Sequence, residues 1–118
     1  MLLQDPDVDI AVLETARGGL LRAGLGYDKS DVGICLNVSE DHLYSRGIDS
    51  LEDMAYVKSV VVETVKKGGV CILNGDNPYT REMAEGCLGQ IIYFSQNPVN
   101  PIIREHLQTG GVVVVNEE

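Results

Sequence analysis

Positive charge is scarce in this sequence. Lys and Arg number 9 against 18 Asp and Glu, for a formal net charge of −9. A generic nucleic-acid or anionic-membrane surface needs clustered cations, so both are excluded as partners, while a local cationic pocket stays open. No apolar run approaches the roughly 18 residues that crossing a bilayer requires. The opening Met1-Leu2-Leu3-Gln4-Asp5-Pro6-Asp7 has no basic segment ahead of an apolar stretch and is not expected to be a signal peptide. Cysteines are few: Cys35, Cys71 and Cys87, odd in number, far apart and without a C-x-x-C pair. They are expected to be reduced thiols in a cytoplasmic protein, neither a disulfide frame nor a zinc site. No G-x-S-x-G elbow or Cys/His pair at usable spacing is present, which disfavours nucleophilic hydrolysis.

What is there is enough apolar material for one core. The 118 residues are 44% hydrophobic and 23% charged, a composition of one folded domain or a piece of one. Five short runs rich in Val and Ile read as strands: Val8 to Leu13, Val32 to Val38, Val70 to Leu73, Ile91 to Phe94 and Val112 to Val115. Their nearly continuous apolar character suits strands covered on both faces. Helical segments fall between them, over Ala16 to Ala23, Leu51 to Lys67, Tyr79 to Glu85 and Pro101 to Leu107. The longest has Ser50 as its expected cap, Lys66 and Lys67 in its last turn, and Gly68-Gly69 as its stop. This alternation predicts an α/β domain with a mostly parallel sheet and flanking helices. Gly110-Gly111 and the acidic end leave room for an antiparallel edge strand near the C-terminus.

In open α/β sheets ligands bind beyond the carboxyl ends of the strands, and here those ends carry polar groups. The first expected strand ends at Glu14-Thr15. The second runs into Asn37-Val38-Ser39-Glu40-Asp41-His42, and the third into Asn74-Gly75-Asp76-Asn77-Pro78. Oxygen donors with one imidazole suit a hard divalent cation, Mg²⁺ or Mn²⁺ first. The alternative is that Asp, Asn and Ser simply make turns there. Lys58 falls in the apolar stripe of Leu51, Met54, Ala55, Val61, Val62 and Val65, one turn from Met54 and from Val62. An ammonium there must snorkel, find a partner or lose its proton. One that faces a site can bind an anion or, when neutral, form a carbamate with carbon dioxide. Arg17-Gly18-Gly19 through Gly26 is glycine-rich, yet Lys29-Ser30 lacks the preceding glycine of a P-loop, and the Rossmann fingerprint is absent. His106 is expected in a surface or helix-end role.

These motifs resemble those of the Mur ligase superfamily, most specifically its cyanophycin-synthetase branch. Ala11-Val12-Leu13-Glu14-Thr15-Ala16-Arg17-Gly18-Gly19 is similar to the segment after the nucleotide loop in that branch. Leu36-Asn37-Val38-Ser39-Glu40-Asp41-His42-Leu43 resembles the N-[IV]-x-x-D-H-L signature, Leu51 through Lys58 the lysine helix, and Leu73-Asn74-Gly75-Asp76-Asn77-Pro78 the L-N-A-D-D-P turn. Asn77 stands where the second Asp is usual, and Tyr44 where Gly often follows D-H-L.

The resemblance implies a fragment, residues 1–118, of a Mur-ligase central domain lacking its P-loop. The parent would be an ATP-dependent amide ligase that activates a carboxylate as an acyl phosphate for attack by an amine. In the cyanophycin branch this adds arginine to aspartate side chains. Glu14, His42 and Lys58 would be the metal residues, with Lys58 as a carbamate and with Lys58 and His42 catalytic. Asn37, Asp41, Asn74 and Asp76 would line the ligand site. ATP and Mg²⁺ are the implied cofactors. The implied partners are the remainder of the parent, an upstream P-loop and a downstream C-terminal domain, with an amino-acid or peptide substrate; a homo-oligomeric parent is consistent with the reading. The isolated chain is expected to be inactive. Alternatives are a peptidoglycan or folylpolyglutamate ligase, or a non-catalytic α/β interaction module.

Overall fold

A computed structural model of the chain describes residues 6–14, 29–38 and 51–116. Its elements run β1 (Ser30–Cys35), α1 (Leu51–Glu63), β2 (Val65–Asn74), α2 (Pro78–Glu82), a 3₁₀ turn (Met83–Gly86), β3 (Gln90–Ser95), α3 (Pro101–Gln108) and β4 (Val112–Val115). The strands form one sheet in the order β1-β2-β3-β4, and every pairing is parallel. The edge near the C-terminus is therefore parallel, not antiparallel. The turn at Gly110 (φ +87°) does not fold the chain back on β3. Instead α3 carries it to the starting end of the sheet, as a crossover between parallel strands must.

Two helices start on the same device. Asn77 and Asn100 each precede a proline at the first helical position and accept hydrogen bonds from backbone N–H groups of the first turn. Asn supplies the acceptor, and Pro lacks only an N–H that would have no helical partner.

The long helix is shorter than expected, and β2 is longer. The helix ends at Glu63, because Thr64 turns its hydroxyl back onto the Val60 carbonyl at 2.9 Å and its own carbonyl accepts from Ser30 N–H at 3.0 Å. The chain thus enters the sheet at β-branched Val65. Lys66 and Lys67 lie in β2 rather than in a last helical turn, and Lys66 pairs with Asp31 on the surface. The register slips between Ser30↔Val65 and Val32↔Val70. Gly68, at φ +88°, sits in this bulge, a backbone state that only glycine adopts cheaply. The expected cap Ser50 and the expected helix Ala16 to Ala23 lie outside the described residues.

The expected first strand is not one. Residues 6–14 form turns and irregular chain, and Ile10 and Val12 are 82% and 89% exposed. A strand exists only through a ladder, and none of the four strands pairs with this segment. Apolar content marks a tendency to be buried, but it does not supply a partner.

The core lies on one face of the sheet. Cys35, Cys71, Leu73 and Tyr93 point from the strands to Met54 and Val62 of α1, Met83, and Ile103 of α3. On the opposite pleat Val32, Ile34, Leu36, Val112 and Val114 are exposed. The sequence pattern predicts cover on both faces; among the described residues, helices cover one.

A second correction concerns sulfur. Cys71 and Cys87 are joined by a disulfide, with Cα atoms 6.6 Å apart. Distance along the chain is a poor guide here, because α2 and the 3₁₀ turn bring residue 87 back beside the middle of β2. Cys35 stays a free, buried thiol. Burial pushes its pKa up, outweighing the nearby Lys58 charge and a backbone hydrogen bond, so it has the character of a core side chain.

Candidate functional site

The carboxyl ends of β1, β2 and β3 form a rim stitched by asparagine. Three consecutive carbonyls leaving β1 are each taken by a side chain from another element. Leu36 O accepts from Asn74 Nδ2 at 3.1 Å, Asn37 O from Lys58 Nζ at 3.2 Å, and Val38 O from Asn77 Nδ2 at 2.9 Å. The Asn77 amide also donates to Asn37 Oδ1 at 2.5 Å, while its own oxygen caps α2 through Tyr79 N–H at 2.9 Å and Thr80 N–H at 3.2 Å.

The next stitch joins β2 to β3. Asp76 Oδ1 accepts from Ser95 Oγ at 2.6 Å and from Asn100 Nδ2 at 2.7 Å, and Oδ2 accepts from Gln96 N–H at 2.8 Å. Burial raises the Asp76 pKa, but these donors and the charge of Arg81 outweigh it and hold the carboxyl below its ordinary value. Asn100 also donates to the Gly75 carbonyl at 3.1 Å. Gly75 packs closely here, since a Cβ would lie 2.7 Å from Ile103 Cδ1 and the Ile103 side chain would have to shift to admit it.

Above this rim lies an open cleft of about 490 Å³, lined by Asn37, Asn74, Asp76, Ser95, Gln96 and Asn116 with Phe94, Val114 and Val115. Amide and carboxylate edges over an apolar wall suit a polar, partly planar ligand.

Three of the sequence-selected residues, Asn37, Asn74 and Asp76, thus meet around one cleft. Lys58 is half-buried on the inner stripe of α1, and it satisfies its ammonium on the Asn37 carbonyl next to that cleft. Glu14 is exposed. Asp41 and His42 lie outside the described residues. Among the described residues no three acidic, His or Cys side chains converge as a metal site. Asp76 already accepts three hydrogen bonds, and among the described residues no second carboxylate or imidazole joins it, so these residues alone do not make a magnesium site. His106 of α3 is half-buried; its Nε2 lies 3.0 Å from the Ile91 carbonyl, and its ring meets Tyr93 edge-on at 4.9 Å. It packs against the sheet far from the rim chemistry.

Sequence reasoning placed Asn77 in the polar turn at the end of the third expected strand but gave it no site role, and it missed Ser95, Gln96 and Asn100. Of the three Asn-Pro dipeptides, those at 77–78 and 100–101 were the available signal, since each marks a helix start after a strand's carboxyl end.

A parallel sheet with a polar rim and a lysine on the adjoining helix defines an α/β domain with a candidate ligand site at its strand ends. The Mur ligase middle domain matches residues 1–116, and the chain belongs to that family. Within it, the chain is similar to cyanophycin synthetases. It is 50% identical over 117 residues to that of Synechocystis sp., covering 99% of this chain and 13% of the relative. It is 49% identical over the same length to that of Geminocystis herdmanii, with the same coverage. It is also 35% identical over 65 residues, 55% of this chain and 14% of the relative, to the UDP-N-acetylmuramoylalanine–D-glutamate ligase of Desulfitobacterium hafniense. The chain therefore spans about an eighth of the length of its cyanophycin-synthetase relatives.

Proposed function

We propose that this chain is the central-domain part of an ATP-dependent amide ligase that activates a carboxylate as an acyl phosphate and passes it to an amine. The reaction is cyanophycin synthesis, with arginine joined to aspartate side chains. The observation that carries the proposal is the rim. Asn37, Asn74 and Asp76 line one cleft at the strand ends, with Lys58 beside it, in a chain about half identical to cyanophycin synthetases. The lower identity and shorter match to the D-glutamate ligase favour the cyanophycin substrate over a peptidoglycan one.

In this reading the rim amides bind and orient ATP, and Lys58 holds the end of β1 in place. Glu14, His42 and, once converted to a carbamate, Lys58 are the residues that would hold magnesium, which supplies charge neutralisation of the transferred phosphoryl group. The rest of the parent contributes the P-loop and the C-terminal domain that closes over the acyl phosphate and excludes water.

The test is ATP-dependent incorporation of labelled arginine into an aspartate-bearing primer by the purified parent protein. Incorporation with stoichiometric ADP and phosphate release supports the reading. ATP turnover driven by a muramyl peptide and not by arginine would replace it with the peptidoglycan reaction. The isolated 118-residue chain should turn over no ATP above background.

A further inference from the structure

We infer that Asn100 is a positioning residue: the amide nitrogen of this α3 cap fixes the direction of the Asp76 carboxylate, so that an anionic acceptor is the group this side of the cleft offers to a ligand. The inference deepens the ligase reading and rests on it only where it concerns ATP.

Both halves of the amide are committed. The oxygen accepts from Ile102 N–H at 2.9 Å and caps α3. The nitrogen has two protons and two acceptors, Asp76 Oδ1 at 2.7 Å and the Gly75 carbonyl at 3.1 Å. Turning the amide over would set its oxygen against two others, so its orientation is fixed. Asn100 is 7% exposed, and it reaches 24 and 25 positions back along the chain to hold the turn after β2. The other donors to Asp76, Ser95 Oγ and Gln96 N–H, are also neutral. Among the described residues the charge that acts on it is Arg81 of α2. A carboxylate has about four acceptor sites. Asp76 uses three of them and lines the cleft. The remaining one calls for an N–H or O–H of the ligand. An anion repels phosphate, so in ATP the donor is the amine of the base or a ribose hydroxyl.

Two replacements separate the cap from the tie, because Asp, Ser and Asn cap helices about equally well. Asn100→Ser keeps a cap oxygen and removes both N–H groups without adding charge. Asn100→Asp keeps the cap and sets a second, buried carboxylate against Asp76 and the Gly75 carbonyl. Two carboxylates this close share one proton and release it only above the ordinary carboxylate range. The protonated pair restores one bond to Asp76, whereas the doubly ionised pair repels and opens. The folded variant thus binds an extra proton, so its stability is present at lower pH and is lost as pH rises. The wild-type tie needs no such proton and is lost only in acid.

The experiment takes the parent ligase and both variants. It reads protection factors by hydrogen-exchange mass spectrometry between about pH 4.5 and about pH 8, and KM for ATP, inosine triphosphate, 2′-deoxy-ATP and 3′-deoxy-ATP. In a peptide covering 94–100, wild-type protection should be level across this range within about twofold. Asn100→Ser should be level too, at about tenfold lower protection, and Asn100→Asp should lose at least about fivefold as pH rises. Peptides covering 102–108 should stay within about twofold of the wild type in both variants, because the cap is kept. In the wild type, inosine triphosphate should raise KM at least about tenfold if the base amine is the donor, and a deoxy analogue should do so if a hydroxyl is, the scale of one hydrogen bond to a charged group. That gap should narrow to under about threefold in Asn100→Ser, with kcat for ATP within about twofold. Level protection at 94–100 in Asn100→Asp overturns the positioning role whether or not the parent is active. Equal KM for all four nucleotides in the wild type, or a gap that survives in Asn100→Ser, overturns the ligand half. A wild-type parent without ATP-dependent activity refutes the ligase reading, and the protection data still decide the role of Asn100.

Discussion

Replacing Asp76 with alanine should loosen the β2–β3 side of the rim without unfolding the domain. The carboxylate accepts from Ser95 Oγ, Asn100 Nδ2 and Gln96 N–H at 2.6, 2.7 and 2.8 Å. Hydrogen bonds to a charged group are each worth about 1.5–3 kcal/mol, but their sum overstates the loss. The Ser95 hydroxyl has a second acceptor in the Asn97 carbonyl at 3.0 Å, and Asn100 keeps the Gly75 carbonyl at 3.1 Å. The carboxylate is itself exposed to water, which screens its charge and lowers the yield further. The cost is then about 1–2 kcal/mol, which corresponds to a 5- to 30-fold increase in local opening. Hydrogen exchange of the parent protein, read in peptides covering 94–100, measures it directly. A change below twofold would refute the claim that Asp76 clasps the rim. A loss of protection throughout the sheet would show that Asp76 supports the whole domain.

The depressed Asp76 pKa gives a pH signature. Its stabilisation is complete above the ordinary carboxylate range and is lost as pH falls through the lower folded value, because protonation removes the acceptor for its donors. Protection of 94–100 should therefore fall at acid pH in the wild type, and Asp76→Asn should flatten that dependence. Ile103→Ala, at a fully buried core position, should cost about 2–5 kcal/mol in calorimetric unfolding; a cost under about 1 kcal/mol would contradict its place in the core. Gly89→Ala should be destabilising, since its Cβ would collide with the Gly69 carbonyl; wild-type melting would contradict the close approach of these strands. Reduction of Cys71–Cys87, which are 16 positions apart, should lower stability by about 3 kcal/mol, and non-reducing peptide mapping should recover the linked pair.

The parts of the fold that are legible in the sequence come from residues whose local chemistry agrees with their place. The β3–α3–β4 portion follows from the Val/Ile runs and Pro101, and it stands within a residue or two of the structure. Where local and long-range effects compete, the sequence misleads. Val61 to Lys67 carries a helical stripe, yet Thr64 back-bonding and the pairing of Val65 with Ser30 end the helix early. Val8 to Leu13 has strand composition without a strand partner. Asn37, Asn74 and Asp76 are legible because strand ends collect ligand groups, whereas Asn77 and Asn100, each ahead of a proline, carry no local signal beyond that of a helix start. Their second use, the tie across the rim, depends on contacts 25 to 40 positions away, and no local pattern carries that information.

The most direct test of the ligase account is the position of a divalent ion in crystals of the parent protein grown with nucleotide and Mn²⁺, located by anomalous scattering. The account predicts a peak bonded to the Glu14 carboxylate and the His42 imidazole, with the Lys58 side chain beside it at the rim. A peak held by other residues, with 14, 42 and 58 on separate surfaces, would contradict it.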